Sequence, residues 1–328
     1  MRTLIGRLFE KETVLPFHMF ERELTAEQSK SANKLERLYH KGQKKAWEGK
    51  AFLSELIDKH DGVQVPQEQR EAIQRLFAVI LWGELAAWKI SAKLSDVLVP
   101  MEAKMAATGQ AHDEARHFYV MRDYLAEIGP VPKTLPKNAA LVVQRVLRTK
   151  STVKMLMGMQ LIIEPLALTL FHLVRKANID PVLSDLLIKI EQDEARHVAL
   201  GVLYLPELIK KLTPTEAAEL VAWQYRQYMT QVEMLKEMAP DLEAIGFSAR
   251  EAFEMGRKKE ALAIQLLADQ MGKDAHVVDF FLRIADFKVE MAFPHKTKSN
   301  SLPSRLGRAV RAATRAKRRV NAPLSDVA

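Results

Sequence analysis

Apolar side chains recur along most of this chain every three or four residues, the spacing that gathers them on one face of an α-helix. Over residues 66–96, Phe77, Leu81, Glu84 and Trp88 share such a face, so a carboxylate stands among apolar neighbours. Asp61-Gly62 and Pro66 mark a turn before it, and Pro100 permits a second helix that Gly129-Pro130 stops after about Ile128. A connector rich in Pro and Lys (130–138) leads to a third helix over about 150–178, and Asp180-Pro181 opens a fourth that runs to about Leu212. A polar, largely exposed helix over 25–48, with Thr25 as its N-cap, precedes these four. Further helices are expected at 214–238, 248–271 and 274–292, and no run alternates apolar and polar residues as a half-buried strand would. The chain reads as all-α.

Composition sharpens that picture. The 328 residues include 13 Gly, 14 Pro and no Cys, and only 7% are aromatic. Without cysteine there can be no disulfide, thiolate nucleophile, Cys-type zinc site or protein-held iron–sulfur cluster, so any metal must be held by carboxylate and imidazole. No stretch reaches the roughly 18 unbroken apolar residues of a membrane span, and the opening MRTLIGRLFEKETVLPF has no signal-peptide core. A cytoplasmic protein is expected. The formal charge of +8 is concentrated at one end: Lys296, Lys298, Arg305, Arg308, Arg311, Arg315, Lys317, Arg318 and Arg319 face only Asp326, so residues 1–294 are neutral. The expected layout is an N-terminal arm (1–24), a helical domain (25–294, with a metal-binding bundle at about 66–212) and a basic, flexible tail (295–328).

The decisive feature is an internal repeat. Asp-Glu-Ala-Arg-His occurs at 113–117 and again at 193–197, and the same offset of 80 residues carries Glu84 onto Glu164 and Tyr124 onto Tyr204. Residues i and i+3 share a helix face, so Glu114 with His117, and Glu194 with His197, can each point at a common centre. Glu84 and Glu164 sit in the apolar runs Leu81–Trp88 and Leu161–Leu168, where an unpaired carboxylate is costly. Four carboxylates and two imidazoles from four helices can hold two divalent ions, and hard oxygen donors with imidazole suit iron or manganese.

These residues resemble the ferritin-like superfamily, in particular its ribonucleotide-reductase-like branch: reductase small subunits, ligand-binding oxidases, monooxygenase hydroxylases and acyl-carrier-protein desaturases. The resemblance covers roughly residues 66–212 and implies a ferritin-like four-helix bundle with flanking helices. It implies that Glu84, Glu114, His117, Glu164, Glu194 and His197 ligate two Fe ions, or one Mn and one Fe. It further implies that Asp193 orients His117, that Asp113 orients His197, and that Arg116 and Arg196 complete the network. Met121 and Met159 stand where radical-bearing reductase subunits and ligand-binding oxidases carry a Tyr, and Ile190 where arylamine N-oxygenases carry an extra His. No subfamily is matched in full.

Tyr124 and Tyr204, seven residues after each ligand His, are candidate relays or plain packing residues. Pro165 removes a helix hydrogen bond and should bulge the helix at Glu164. Met155, Met157 and Met159 line the core or a substrate tunnel, and His112 and His172 are expected to be no more than surface or core histidines. The tail carries Leu302, Leu306, Val310 and Ala313 on one side and could dock on an anionic membrane, nucleic acid or an acidic carrier protein. The function expected is an O₂-activating di-iron oxidoreductase of the monooxygenase or desaturase type. Its substrate would be an apolar or lipid-like small molecule, and its electrons would come from a separate ferredoxin or reductase, with no flavin, haem or iron–sulfur cluster of its own. A homodimer is expected. The alternatives are a non-catalytic metal- or radical-holding subunit and a tRNA-modifying hydroxylase.

Overall fold

Two helical hairpins face each other at the centre of the protein. In the first, α3 (Gln67–Val97) and α4 (Met101–Ile128) are joined by three residues ending in Pro100. In the second, a long helix runs back against α8 (Pro181–Ile209) through a three-residue link. The link is tight because Asn178 adopts a left-handed φ of 50° as C-cap, and Asp180 caps α8 by accepting from Leu183 N at 2.8 Å. α3 packs on α4, α4 on α8, and the second hairpin closes back on α3. This computed structural model describes residues 26–257 and 276–314. Among them there is no strand, and the architecture is the all-α, ferritin-like bundle with flanking helices read from the sequence.

The long helix of the second hairpin is interrupted where the proline foretold it. α6 (Thr152–Gly158) gives way to a π-helical turn (Met159–Ile163) before α7 (Glu164–Ala177). The Glu164 amide donates to Met159 O, five residues back, so the chain carries an extra residue per turn just before the carboxylate. Pro165 has no amide with which to restore the normal register. The stretch Thr152–Ala177 is apolar and long enough to cross a bilayer, but 83% of its most apolar window is buried within the bundle. It is a core helix, and Met155, Met157 and Met159 are all buried in it.

Flanking helices cover the bundle. α1 (Ala26–Lys45) is largely exposed, as its polar sequence implies, and buries Ala32 and Leu35 where it lies across α4 and α8. Thr25, its expected N-cap, and the arm before it lie outside the described residues. Two helices escaped the sequence reading: α2 (Gly49–Lys59), capped by Glu48 accepting from Ala51 N at 2.6 Å, and α5 (Lys137–Arg148), which buries Ala139, Val142 and Val146. Both are shorter than the length at which an isolated helix becomes stable, so packing rather than propensity makes them. α9 (Pro214–Glu237) opens with a capping box between Thr213 and Glu216, and α10 (Ala239–Ala244) follows. A helix begins at 249 and is described to 257, the first part of the element expected at 248–271.

The tail expected to be flexible is a docked helix where it is described. α13 (Leu302–Thr314) packs on α12 (His276–Ala292) by burying Ala309 and turning two arginines inward. Arg308 Nε donates to Glu290 Oε2 at 3.1 Å, and Arg305 bonds the carbonyl of Met291. Residues 315–328 lie outside the described residues.

Gly158, at the end of α6, lets α5 and α9 approach: a Cβ there would lie 2.6 Å from Val146 Cγ2 and 2.8 Å from Trp223. Gly158→Ala should destabilise the protein by roughly 1–3 kcal/mol through overpacking, read as a lower urea midpoint with an unchanged m-value.

Candidate metal centre

All six repeat-derived side chains are buried and converge at the middle of the bundle. Glu84 projects from α3, Glu114 and His117 from α4, Glu164 from the start of α7, and Glu194 and His197 from α8. His197 Nδ1 lies 2.6 Å from Glu194, 3.1 Å from Glu114 and 3.3 Å from Glu164. His117 Nδ1 lies 3.0 Å from Glu194, 3.5 Å from Glu84 and 3.8 Å from Glu114. The result is two groups, Glu84–Glu114–His117–Glu194 and Glu114–Glu164–Glu194–His197, each offering one atom per residue with all four atoms within 4.8 Å of one another. Glu114 and Glu194 belong to both groups, the arrangement that lets two carboxylates bridge two cations.

The donor chemistry fits a pair of divalent ions. Each buried ionised carboxylate loses several kcal/mol of solvation, which a neutral hydrogen bond worth about 1 kcal/mol net does not offset. Glu114 Oε2, Glu194 Oε1 and His117 Nδ1 are buried without a hydrogen-bond partner among the described residues. Three orphaned acceptor-type atoms around one point are what a cation satisfies and what a packed core avoids.

Outside the ligand atoms runs a closed ionic ring. Asp193 Oδ2 lies 3.2 Å from His117 Nε2, and Asp113 Oδ2 lies 3.3 Å from His197 Nε2, so each imidazole is held by the Asp of the opposite helix and turns Nδ1 to the centre. Arg116 bonds Asp113 and also Asp193 at 2.9 Å; Arg196 bonds Asp113 at 2.8 Å and Asp193 at 2.7 Å. The structure thus brings Asp113, Arg116, Asp193 and Arg196 together beside the two imidazoles.

Three neighbours were not anticipated. Trp47, between α1 and α2, donates its indole N–H to Asp193 Oδ2 at 2.8 Å and stacks on His117 with ring centres 6.4 Å apart. Gln110 donates to Glu164 at 2.7 Å and to Glu114 at 3.0 Å, and Gln160 donates to Gln110 at 2.7 Å. The glutamines could have been found, since each lies four residues before a ligand Glu on the same helix face. Trp47 carries no such signal, because its partner is 146 residues away.

The tyrosines sit elsewhere in the network. Tyr124 is buried and its hydroxyl donates to Asp180 at 3.0 Å, bracing the cap of α8 rather than touching a cluster carboxylate. Tyr204 is buried on α8. Tyr119 bonds Glu48 at 3.1 Å near the start of α2, and His112 is exposed beside Arg116.

No protein-family model matches the chain, and no curated protein matches its sequence. Solved structures do match. Protein 19 with aldehyde deformylating oxidase activity from Synechococcus superposes with a TM-score of 0.52 at 16% identity, over 65% of this chain and 97% of that one. The fold is ferritin-like. A variant of R2-like ligand-binding oxidase with an anaerobically reconstituted Mn/Fe cofactor gives 0.46 at 17% identity over 73% and 92% of the two chains, too loose a match to carry an argument.

Protonation of the cluster follows from burial and mutual charge. Burial first, then Glu194 and Glu114, push Glu84 and Glu164 well above the usual carboxylate range. For His117 and His197 burial favours the neutral ring, but the facing carboxylates outweigh it and raise both well above 6.5. Burial also opposes ionisation of Glu114 and Asp113, and the imidazoles overcome it, leaving each at about 2. Without a cation the cluster therefore keeps protons in its place.

An apolar pocket of about 480 Å³, counted out to open solvent, touches this centre between α3, α5 and α7. Glu84 and Glu164 form its polar floor, and Ile80, Val142, Leu166 and Met234 are among its walls.

A sign follows for pH. Groups whose folded values are raised (Glu84, Glu164, His117, His197) stabilise the metal-free fold below their unfolded values, and that stability is lost as pH rises through the folded ones. Metal-free protein should thus lose Tm as pH rises above neutrality. Divalent ions displace these protons, so their affinity should rise with pH and the alkaline loss of Tm should vanish with saturating Fe(II) or Mn(II), measured by calorimetry.

Proposed function

We propose that this chain is an oxygen-activating di-iron oxidoreductase that oxidises an apolar or lipid-like small molecule. The observation that carries the reading is the pair of overlapping buried four-residue groups with an apolar pocket at Glu84 and Glu164. Glu84, Glu114, His117, Glu164, Glu194 and His197 would hold two Fe ions, or one Mn and one Fe. Such a pair, once reduced, supplies the electrons that activate O₂. Protein 19, which shares the fold, is described as having oxidase activity on aldehydes, in line with an oxidation of this general class.

The chain's own residues then divide the labour. Glu114 and Glu194, which belong to both groups, would offer a ligand atom to each ion, while Asp193 and Asp113 fix the tautomer of the two imidazoles. The pocket's apolar lining would present a C–H-rich substrate to the centre, consistent with hydroxylation, desaturation or N-oxygenation. With no cysteine there is no iron–sulfur cluster in the chain, so electrons come from a separate protein. The hydrogen-bonded path Trp47–Asp193–His117 is the route by which they would reach the centre.

Protein loaded with Fe(II) should hold about two metals per chain, and Glu114→Ala, which removes a shared ligand, should lose both. Metal content well below this in every preparation, or Glu114→Ala retaining both ions, overturns the reading. O₂ consumption by the reduced protein should rise when a fatty acid or fatty aldehyde is added. No response to any apolar compound would favour the alternative, a subunit that holds metal or a radical for a larger complex.

The tail favours a lipid surface over nucleic acid as its partner. Leu302, Leu306 and Val310 are 67%, 47% and 49% exposed along one side of α13, an aliphatic stripe with no aromatic ring to stack on a base. Arg311 is exposed on the same helix, which has no acidic residue in its first turn, and the basic run 315–319 follows. A protein working at the cytoplasmic face of a membrane is consistent with this stripe. The full chain should sediment with phosphatidylglycerol vesicles but not with phosphatidylcholine ones, and Leu306→Asp should reduce sedimentation several-fold. Equal binding of both lipids, or stronger competition by tRNA than by vesicles, would overturn the membrane reading.

A further inference from the structure

The internal repeat makes the two halves of the cluster equivalent in their ligands, but not in their surroundings. On the His197 side, Gln110 donates to Glu164 and Glu114, and Gln160 donates to Gln110. Chemistry fixes the direction of this chain. Ionised carboxylates, as metal ligands must be, only accept, so the Gln110 amide nitrogen faces them, its oxygen turns to the nitrogen of Gln160, and the oxygen of Gln160 is left over. That oxygen has no partner among the described residues, and Gln160 is 0% exposed. Gly201 admits the side chain, since a Cβ there would lie 2.4 Å from Gln160 Cβ. Eighty residues away, the positions equivalent to Gln110, Gln160 and Gly201 are Ile190, Ile80 and Met121, all buried and none with a polar hydrogen to donate.

The outer faces differ in the same sense. On the His117 side Trp47 closes the surface: it bonds Asp193, stacks on His117 and lies under the Arg116 guanidinium at 4.7 Å. The equivalent face around Asp113 and His197 carries instead a small cleft walled by Tyr39, Gly42, Gly109 and Gln110. The two glycines let Arg196 and Tyr39 lie against the backbone there.

We infer that the two ion positions are functionally distinct: the one bounded by Glu164 and His197 has a polar approach past Gln110 and exchanges its ion readily, while the one bounded by Glu84 and His117 is reached only across apolar side chains and holds its ion longer. Gln110 is the positioning residue of the exchangeable position, because among the described residues it alone gives Glu164 a neutral hydrogen-bond donor. The surplus oxygen of Gln160 is an acceptor for a water or another small hydrogen-donating molecule on that side. This inference rests on the two-metal reading proposed above.

Chelator kinetics test it without reference to activity. Protein loaded with two Mn(II) per chain is mixed with excess chromogenic chelator, and release is followed by dye absorbance. The expected result is two phases of equal amplitude. Gln110→Leu should speed mainly the fast phase and weaken its ion by about 10–100-fold, the usual effect of losing a partner of a metal ligand, with a smaller effect on the other ion through the shared Glu114. Trp47→Leu should speed only the slow phase, and Gly109→Leu, which fills the cleft, should slow only the fast one. Thermal melts of the metal-free variants check folding; should Gln110→Leu fail to fold, Gln160→Met, which removes the anchor of Gln110 but leaves its donors, is read the same way. Two ions leaving in one phase, or each variant shifting both phases alike, overturns the inference while leaving the two-metal reading intact. Fewer than two bound ions would overturn both.

Discussion

Everything in this protein is arranged around the difficulty of keeping four carboxylates in a water-free interior. Glu84, Glu114, Glu164 and Glu194 lie within a few ångströms of one another, where repulsion and lost solvation each amount to several kcal/mol. Two imidazoles relieve part of this, and protons on Glu84 and Glu164 relieve more. A residue of unsatisfied atoms persists, which two divalent ions would relieve. The bundle supplies what such a site needs from its frame: four long helices whose centres can each offer one or two side chains to the same point.

The frame is stiffened where the ligands are. The Asp113–Arg116–Asp193–Arg196 ring links α4 to α8 and is closed on each side by an imidazole, so the two Glu-x-x-His helices cannot rotate independently. α3 is held differently. Its Glu84 has His117 as a neighbour at 3.5 Å and no amide donor comparable to Gln110, and it faces the apolar pocket. The π-helical turn before Glu164 shifts the second pocket-facing carboxylate out of ordinary register. A braced ring thus lies on one side of the centre and the two pocket-lining carboxylates on the other.

A pseudo-symmetric ligand set with asymmetric surroundings also separates tasks that one environment could not serve. Apolar neighbours at Ile80, Met121 and Ile190 keep water from one half, while the amides of Gln110 and Gln160 introduce polarity into the other.

The sequence by itself determined the all-α class, the four bundle helices, and the six side chains that meet, because these follow from local periodicity and from a repeat that can be read without coordinates. It also placed Asp113, Arg116, Asp193 and Arg196 beside the centre, and the bulge at Pro165. What it could not determine was anything set by contact between distant segments. α2 and α5 are too short to declare themselves and exist because Leu53, Val142 and Val146 have a core to enter. α1 reads as a solvated helix, and its polar sequence does not mark the face that lays Leu35 on α4 and α8. Tyr124, spaced like a relay, is bound to Asp180 across 56 residues, and Trp47 reaches Asp193 across 146. Tertiary structure alone decided these, because a hydrogen bond or a buried face depends on which segments the fold brings together, and periodicity along one helix carries no record of its partner.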